Sequence, residues 1–141
     1  MVDIEAMLVT WLRADAGVKA QVVARLWGSP GIPRTEVPHM PRKAVVLVAH
    51  SGPGADRSLP ESVGVVQFRC YGATMAEAWQ VYGAVFDALH RAHHQRPATG
   101  QMIGVVHEQM HPQSLIEPQT DWPLVLVTFR VRYVTGTVTV G

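Results

Sequence analysis

The chain has 141 residues, of which 48% are hydrophobic and only 16% are charged, with a formal net charge of +1 at pH 7. The length fits one domain, 1–141, and the composition excludes intrinsic disorder, which needs low hydrophobicity and high net charge. The pI of 8.0 disfavours a nucleic-acid-binding protein held by bulk electrostatics, since such domains usually have a pI above about 9. A soluble domain usually carries about 25% charged residues, so this surface is short of charge, and partner subunits would explain the deficit.

Targeting and disulfide signals are missing from the sequence. No apolar run approaches the roughly 20 residues that a membrane span needs, so we expect no membrane association. The acidic N-terminal sequence MVDIE lacks the basic region of a signal peptide. Cys70 is the only cysteine, which excludes an intramolecular disulfide and a multi-cysteine metal site. These features predict a cytosolic setting.

The N-terminal residues predict helical structure followed by a short strand. Apolar residues at three- and four-residue spacing indicate a first helix that begins after Asp3 as its N-cap and ends near Ala14. A further helical turn is expected over 18–23, and a short strand over 24–27. The apolar stripe of the first helix consists of Ile4, Met7, Leu8, Trp11 and Leu12.

A loop and two strands follow. Residues 28–42 contain four prolines and two glycines, which predicts a loop, and loops of this length are usually functional or mobile. The apolar run from Ala44 to His50 is typical of a strand covered on both faces. A turn over 51–58 then connects it to a strand from Ser62 to Tyr71. On that strand we expect one face to carry Val66, Phe68 and Cys70 and the other to carry Gln67, Arg69 and Tyr71.

The second half begins with a helix that has a clear start signal. Thr74 and Glu77 have the spacing of a capping box, in which two side chains satisfy backbone N–H groups at a helix start. The helix is expected to end near His93. Its inner stripe is predicted to consist of Met75, Ala78, Tyr82, Val85, Phe86 and Leu89.

Two further strands are expected over 102–110 and 124–133, joined by a loop over 111–121, and residues 134–141 read as an extended C-terminal tail. The last strand is predicted to place Val125, Val127, Phe129, Val131 and Tyr133 on one face. Segregated helices and hairpin-like connections predict an α+β fold, with a mainly antiparallel sheet of four to five strands and helices packed on one face.

The sequence contains no motif that indicates catalysis. A nucleophile elbow, a phosphate-binding loop and a dinucleotide fingerprint are all missing, so we expect no enzyme activity, no cofactor and no metal. The one competing signal is His90, His93 and His94, whose spacing would place imidazoles together at a helix end and could ligate zinc. We favour the simpler interpretation, in which these side chains complement the helix dipole at a solvated C-terminal turn.

Basic and aromatic residues supply the candidate contact sites. Arg130 and Arg132 share a strand face, and Arg69 would join them if its strand is a neighbour. Such a stripe could line a channel or touch nucleic acid, although the near-zero net charge favours an ordinary solvated face. Trp79 lies beside the inner stripe of its helix, where an interface anchor and a ring over the rim of the core are equally good interpretations. The candidate interface residues are Arg34, Arg42, Arg57, Trp79 and Trp122.

Four segments resemble the tail-completion (tail terminator) family of long-tailed phages. They are 12–18 (LRADAGV), 56–59 (DRSL), 66–72 (VQFRCYG) and the helix 74–89. The most distinctive part is the strand-to-helix junction CYGAT, residues 70–74. The motifs are structural, and the family has no catalytic residues to carry over.

The resemblance implies an α+β virion protein that assembles as a ring, commonly a hexamer, on the head-proximal end of the tail tube. There it would stop tube polymerisation and join the tail to the head–neck complex. Its implied partners are copies of itself, the tail tube protein and a head–neck connector protein, with DNA passing through the lumen. Arg69, Arg130 and Arg132 are the candidates to face that lumen. Assembly in the host cytoplasm would precede its place in the virion tail and neck.

Two other functions stay open at this stage. A head-closure or adaptor protein on the portal side would also form a ring and would share the low surface charge. A metal-dependent enzyme that uses the three helix-end histidines is a more distant alternative.

Overall fold

A computed structural model of the chain describes residues 4–29, 31–50, 61–91 and 103–134. Three helices and five strands confirm the α+β fold. None of the helices in these ranges is long and apolar enough to cross a membrane. In chain order the elements are α1 (Ile4–Ala14), α2 (Ala16–Val22), β1 (Leu26–Trp27), a 3-10 helix (Val37–His39), β2 (Ala44–His50), β3 (Glu61–Tyr71), α3 (Met75–Arg91), β4 (Ile103–Ile116) and β5 (Pro123–Val134).

The break between α1 and α2 depends on a helix cap. Asp15 has extended backbone angles, and its carboxylate accepts a hydrogen bond from the N–H of Val18 at 3.1 Å. This bond satisfies one of the free N–H groups at the start of α2. The predicted cap of the first helix, Asp3, lies outside the described residues.

The five strands form one sheet in the order β1-β2-β3-β5-β4. Three of the strand pairs are antiparallel, as the sequence predicts, and only β1 and β2 run parallel. The parallel pair arises because residues 28–43 carry the chain back to the end of the sheet at which β1 begins. The two outermost strands in the described part of the chain are therefore β1 and β4.

Strand β4 is longer than the sequence predicts. The strand expected over 102–110 continues through Pro112 to Ile116, so the predicted loop over 111–121 is wrong and only 117–122 connect the strands. Proline lacks the N–H that a central strand needs, but an outermost strand has one side without a neighbour. The pairing register with β5 shifts where the proline lies.

The main core lies between the helices and one face of the sheet. Phe68 and Phe129 are fully buried there with perpendicular rings and centroids 5.5 Å apart, a favourable edge-to-face geometry. Cys70 is buried beside them, as predicted for a small hydrophobic side chain, and burial raises the pKa of its thiol. The strand residues of this core are Leu26, Val45, Leu47, Val66, Phe68, Cys70, Val125, Val127, Phe129 and Val131.

A second, smaller cluster covers the opposite face at one end of the sheet. Its buried members are Ala44, Val46, Tyr71 and Leu124. Ile32 and Met40, from the proline-rich loop, pack against them. The loop therefore acts as a cover, and β2 is buried on both faces, which confirms the prediction made from its apolar run.

The face that helix α3 presents to the core matches the predicted one in part: Ala78, Val85 and Leu89 are buried as predicted, and Met75 and Tyr82 pack against the core while partly exposed. The side chains that it buries are Ala78, Val81, Val85, Ala88 and Leu89. Phe86 is 38% exposed, so its assignment to the inner stripe is wrong, and Tyr82 is only half-buried. The small side chains at Ala78 and Ala88 let the helix lie close to the sheet, and the larger rings occupy its flank.

The junction between β3 and α3 is held by hydrogen bonds and by close packing. The predicted capping pair is confirmed with one difference: Thr74 Oγ1 accepts from the N–H of Glu77 at 3.2 Å, and Glu77 Oε1 accepts from the N–H of Ala73, one residue before the cap, at 3.1 Å. A Cβ added at Gly72 would lie 2.5 Å from the backbone nitrogen of Ala78. Only glycine therefore allows this close approach of the strand end to the helix.

Glu5 of α1 closes the sheet beside β1. Pairing between β1 and β2 ends at Val46, and further along β2 the N–H of Ala49 donates to Glu5 Oε2 at 3.0 Å. The backbone N–H and the hydroxyl of Ser29 also donate to this carboxylate. Burial raises the pKa of Glu5, but the hydrogen bonds from Ser29 and Ala49 leave it below its ordinary value. The Glu5 carboxylate therefore accepts the hydrogen bond from Ala49 that a neighbouring strand would otherwise accept.

We expect Gly72→Ala to lower the free energy of unfolding by about 1–3 kcal/mol, the usual cost of forcing extra atoms into a packed site. Gly83→Ala is the matched control, because a Cβ at Gly83 on α3 meets nothing within 4 Å. The control is expected to raise the free energy of unfolding by roughly 0.4–1 kcal/mol. Urea denaturation of both variants measures the difference, and equal effects would contradict the packing argument.

Candidate functional site

Three aromatic side chains line the flank of α3 nearest β4. Trp79 and Tyr82 have ring centroids 5.5 Å apart at 87°, and Tyr82 and Phe86 have centroids 6.0 Å apart at 43°. Spacings of three and four residues place them on one side of the helix. We call Trp79, Tyr82 and Phe86 the aromatic stripe. Trp79 and Phe86 are each 38% exposed, so the stripe is open to solvent.

A hydrogen bond ties the aromatic stripe to the end of β4. Trp79 Nε1–H donates to Ser114 Oγ at 2.9 Å, and the next residues, Leu115 and Ile116, are 40% and 55% exposed. Among the described residues no strand pairs with the outer side of β4. We call the aromatic stripe, together with Leu115 and Ile116, the β4 margin.

Two further exposed apolar side chains, Val23 and Val37, lie toward the β1 edge of the sheet. Val23, which ends α2 with a φ of 59°, is 57% exposed, and Val37 of the 3-10 helix is 42% exposed. Arg25 follows Val23 by two residues and directly precedes β1. Burial and the charge of Arg42 lower its pKa, while the charge of Glu36 raises it, so the 3-10 helix lies near the start of β1. We call Val23, Arg25, Val37 and Arg42 the β1 margin.

Two of the predicted interface arginines lie in the described part of the loop. Arg42 forms an ion pair with Glu36, whereas Arg34 has an exposed side chain. Arg25 Nε–H donates to the carbonyl of Lys43 at 2.7 Å and attaches the end of the loop to β1. The third predicted arginine, Arg57, lies outside the described residues.

Trp122 packs within the second cluster rather than standing free of it. Its ring contacts that of Tyr71 edge to face, with centroids 6.0 Å apart at 82°. The Tyr71 hydroxyl donates to Glu117 Oε2 at 2.8 Å, and the Thr120 hydroxyl donates to Glu117 Oε1 at 3.1 Å. Burial, and then the hydrogen bond to Glu117, raises the pKa of Tyr71 to about 12. These contacts hold the β4–β5 turn against the sheet.

Helices α1, α2 and α3 cover one face of the sheet, and we call the other face the helix-free face. Arg69 and Arg130 both lie on the helix-free face, but they are not side by side. Strands β3 and β5 are neighbours, as a shared stripe requires, but Arg69 pairs with Leu126 and Arg130 pairs with Val65. The two positions are therefore four residues apart along the strands, roughly 13 Å. Arg69 also interacts with the hydroxyl of Tyr71. The side chain of Arg132 lies outside the described residues.

The structure brings no metal-binding group together in the ranges it describes. The side chain of His90 and the whole of His93 and His94 lie outside them, and within them no three His, Cys, Asp or Glu side chains could hold a metal ion. An open groove of about 460 Å³ is lined by residues of α2 and α3. Its lining, which includes Gly17, Gln80 and Gly83, offers a single carboxylate, that of Asp87.

Comparison with known proteins identifies the family. Residues 1–136 match the family model described as phage tail termination protein. The chain belongs to this family. The resemblance seen in the sequence is therefore confirmed, and the protein is a member of a family of phage tail proteins.

Solved structures share the fold of this tail termination family member. A chain in the virion of a native gene transfer agent particle superimposes with a TM-score of 0.64 and 18% identity, over 93% of this chain and 94% of that chain. The bacteriophage SPP1 gp17 protein superimposes with a TM-score of 0.51 and 17% identity, over 96% of this chain and 90% of that one. No curated protein matches the chain significantly.

Sequence reasoning missed the β1 margin of this family member. Val23 and Val37 look like ordinary apolar residues of a helix end and a loop, and only the fold shows that both are exposed near Arg25. The one available signal was the proline-rich composition of 28–42, which predicts a loop of unusual length but not its cover over the sheet.

Replacing Tyr71 by Phe removes the hydroxyl that binds Glu117, and we expect it to lower the free energy of unfolding by about 0.5–1.5 kcal/mol at neutral pH. The folded state favours the neutral phenol, because its pKa is raised from 10.0 to about 12. The wild type should therefore lose stability as the pH rises through this window, and the Phe variant should lose less. Urea denaturation at several alkaline pH values measures both slopes; equal slopes would contradict the assignment.

Proposed function

We propose that the protein forms a ring at the head-proximal end of the phage tail tube, where it ends tube polymerisation and joins the tail to the head–neck complex. The observation that carries the proposal is the match of residues 1–136 to the tail termination family. The partners in this proposal are copies of the same chain, commonly six, the tail tube protein and a head–neck connector protein. The protein would assemble in the host cytoplasm and remain in the virion.

The distribution of apolar surface supports a ring. A ring subunit contacts its neighbours through two different surfaces, one on each side, because the interface is repeated by rotation. The β4 margin and the β1 margin lie beside the two outermost strands of the described sheet. A compact domain with an apolar patch on each side has the form that such an arrangement needs.

The ends of the sheet supply the surfaces for the tube and the neck. The turn 117–122 lies at one end with the start of α3, and β2 and β3 are joined at the opposite end. Ending polymerisation requires only that one end of the ring match the tube and that the other end differ from it. This role needs no bond to be made or broken, so we propose a structural protein without enzyme activity.

The helix-free face is the proposed lining of the lumen. Arg69 and Arg130 have exposed side chains on this face, and Arg132, two residues after Arg130 on β5, is the third arginine of the proposal. Basic side chains attract the phosphates of DNA without reading its sequence. Such a lining suits a channel through which DNA passes.

Arg130→Glu would place a negative charge in this lining, and we expect particles that assemble with tails of normal length but release DNA more slowly. The reason is repulsion between the new carboxylate and the DNA phosphates. Gln80→Glu is the control, because it adds the same charge on the groove between the helices. The measurement is the rate of DNA release from purified particles, and equal rates for the two variants would contradict a lumen-facing position.

Removing the protein from phage assembly tests the proposed function. We expect tail tubes of uncontrolled length that do not join to heads, because nothing covers the growing end of the tube. Electron microscopy of the particles gives both tail length and attachment. Tails of normal length joined to heads would refute the proposal, and tails of normal length without heads would favour the portal-side neck role instead.

A further inference from the structure

Among the side chains that the structure describes, the large exposed hydrophobic ones lie at the two margins. In the described part of the chain they are Val23, Val37, Trp79, Phe86, Leu115 and Ile116. The first two belong to the β1 margin and the other four to the β4 margin. Exposed apolar patches rimmed by polar residues mark contact surfaces, so each margin has the character of an interface.

The chain segments that contain the two margins differ in net charge. Residues 103–122, which form β4 and the turn after it, contain three acidic residues and no Lys or Arg. Residues 23–43, which form β1 and the loop after it, contain four basic residues and one acidic residue. Asp121 and Arg34 are exposed members of the two segments. Surfaces of opposite charge attract each other, and two copies of the same charged surface repel.

The two sides of the sheet also differ in their free backbone groups. On the β1 side, Glu5 accepts from the N–H of Ala49, the position at which a further strand would pair. On the β4 side, nothing within the described ranges pairs with the outer side of the strand. An outermost strand with exposed apolar residues such as Ile116 invites contact with another chain. The two surfaces are therefore different in shape and not interchangeable.

We propose that the β4 margin of one copy of this chain docks against the β1 margin of the next copy. This inference rests on the proposed ring and assigns its subunit contact to named residues. Trp79, Phe86 and Ile116 of one subunit cover Val23 and Val37 of its neighbour, and the acidic turn faces the basic loop. Because the two surfaces differ, the contact repeats in one direction around the ring, which is what a heterologous interface requires.

Thiol cross-linking tests this contact, because the only natural cysteine, Cys70, is fully buried. The test variant carries Ile116→Cys and Val37→Cys together. Tails assembled with it are treated with a bifunctional maleimide and analysed by denaturing electrophoresis. We expect a ladder of covalent oligomers from the double variant, and no oligomers above the wild-type background from either single variant.

A second double variant serves as the matched control. Gln80→Cys with Val37→Cys keeps one thiol at the β1 margin and moves the other to the groove between α2 and α3. We expect this control to give no ladder. A ladder of equal intensity from the control would overturn the proposal, because it would show that proximity in the tail alone causes the reaction.

Two further results would overturn the proposed contact. Dimers from the Ile116→Cys variant alone would show that the β4 margin meets itself across a two-fold axis. No cross-linking of the test variant in tails of normal length would show that the two margins do not meet. Tail length in particles that lack the protein is scored separately, so failure of this contact is distinguished from failure of the terminator role.

Discussion

The approach of α3 to the end of β3 is the constraint on which the rest of the structure depends. No Cβ fits at Gly72, because it would lie 2.5 Å from the backbone nitrogen of Ala78. The helix therefore starts in contact with the strand, and its capping box holds that start in place. From this position α3 crosses the sheet with Val81 and Val85 turned toward the core. Its two flanks are consequently different, with one beside α2 and one beside β4.

The flank of α3 beside β4 shows that the low content of charged residues is not explained by a large core alone. Trp79 and Phe86 are partly exposed although they lie on a helix with ample apolar surface. The main core is filled by aliphatic side chains around Phe68 and Phe129, and residues of the proline-rich loop pack on the second cluster. The remaining apolar surface collects at the two margins of the sheet. The low content of charged residues, 16% of the chain, is thus explained by contact surfaces as well as by the core.

Local signals in the sequence were reliable wherever neighbouring residues decide the outcome. The capping box at Thr74 and Glu77 and the doubly covered strand from Ala44 are confirmed, since both depend on short-range patterns. Phe86 was placed on the wrong side of α3, because periodicity gives the spacing of a stripe but leaves its rotation uncertain by one residue. Pro112 was assigned to a loop because proline disfavours most strands, and the sequence does not show that β4 is outermost.

The α+β class, the main elements and the resemblance to tail termination proteins can be read from the amino-acid sequence, because the hydrophobic period, the capping residues and the junction at residues 70–74 are local features. The tertiary structure decided which residues meet at the surface. Val23 and Val37 are far apart in sequence from the aromatic stripe, and the order of the strands places them toward the β1 edge of the sheet. Arg69 and Arg130 lie on the same face of the sheet, but the pairing register of β3 and β5 places them four residues apart along the strands. Exposure and charge at the margins depend on long-range packing, which periodicity does not report.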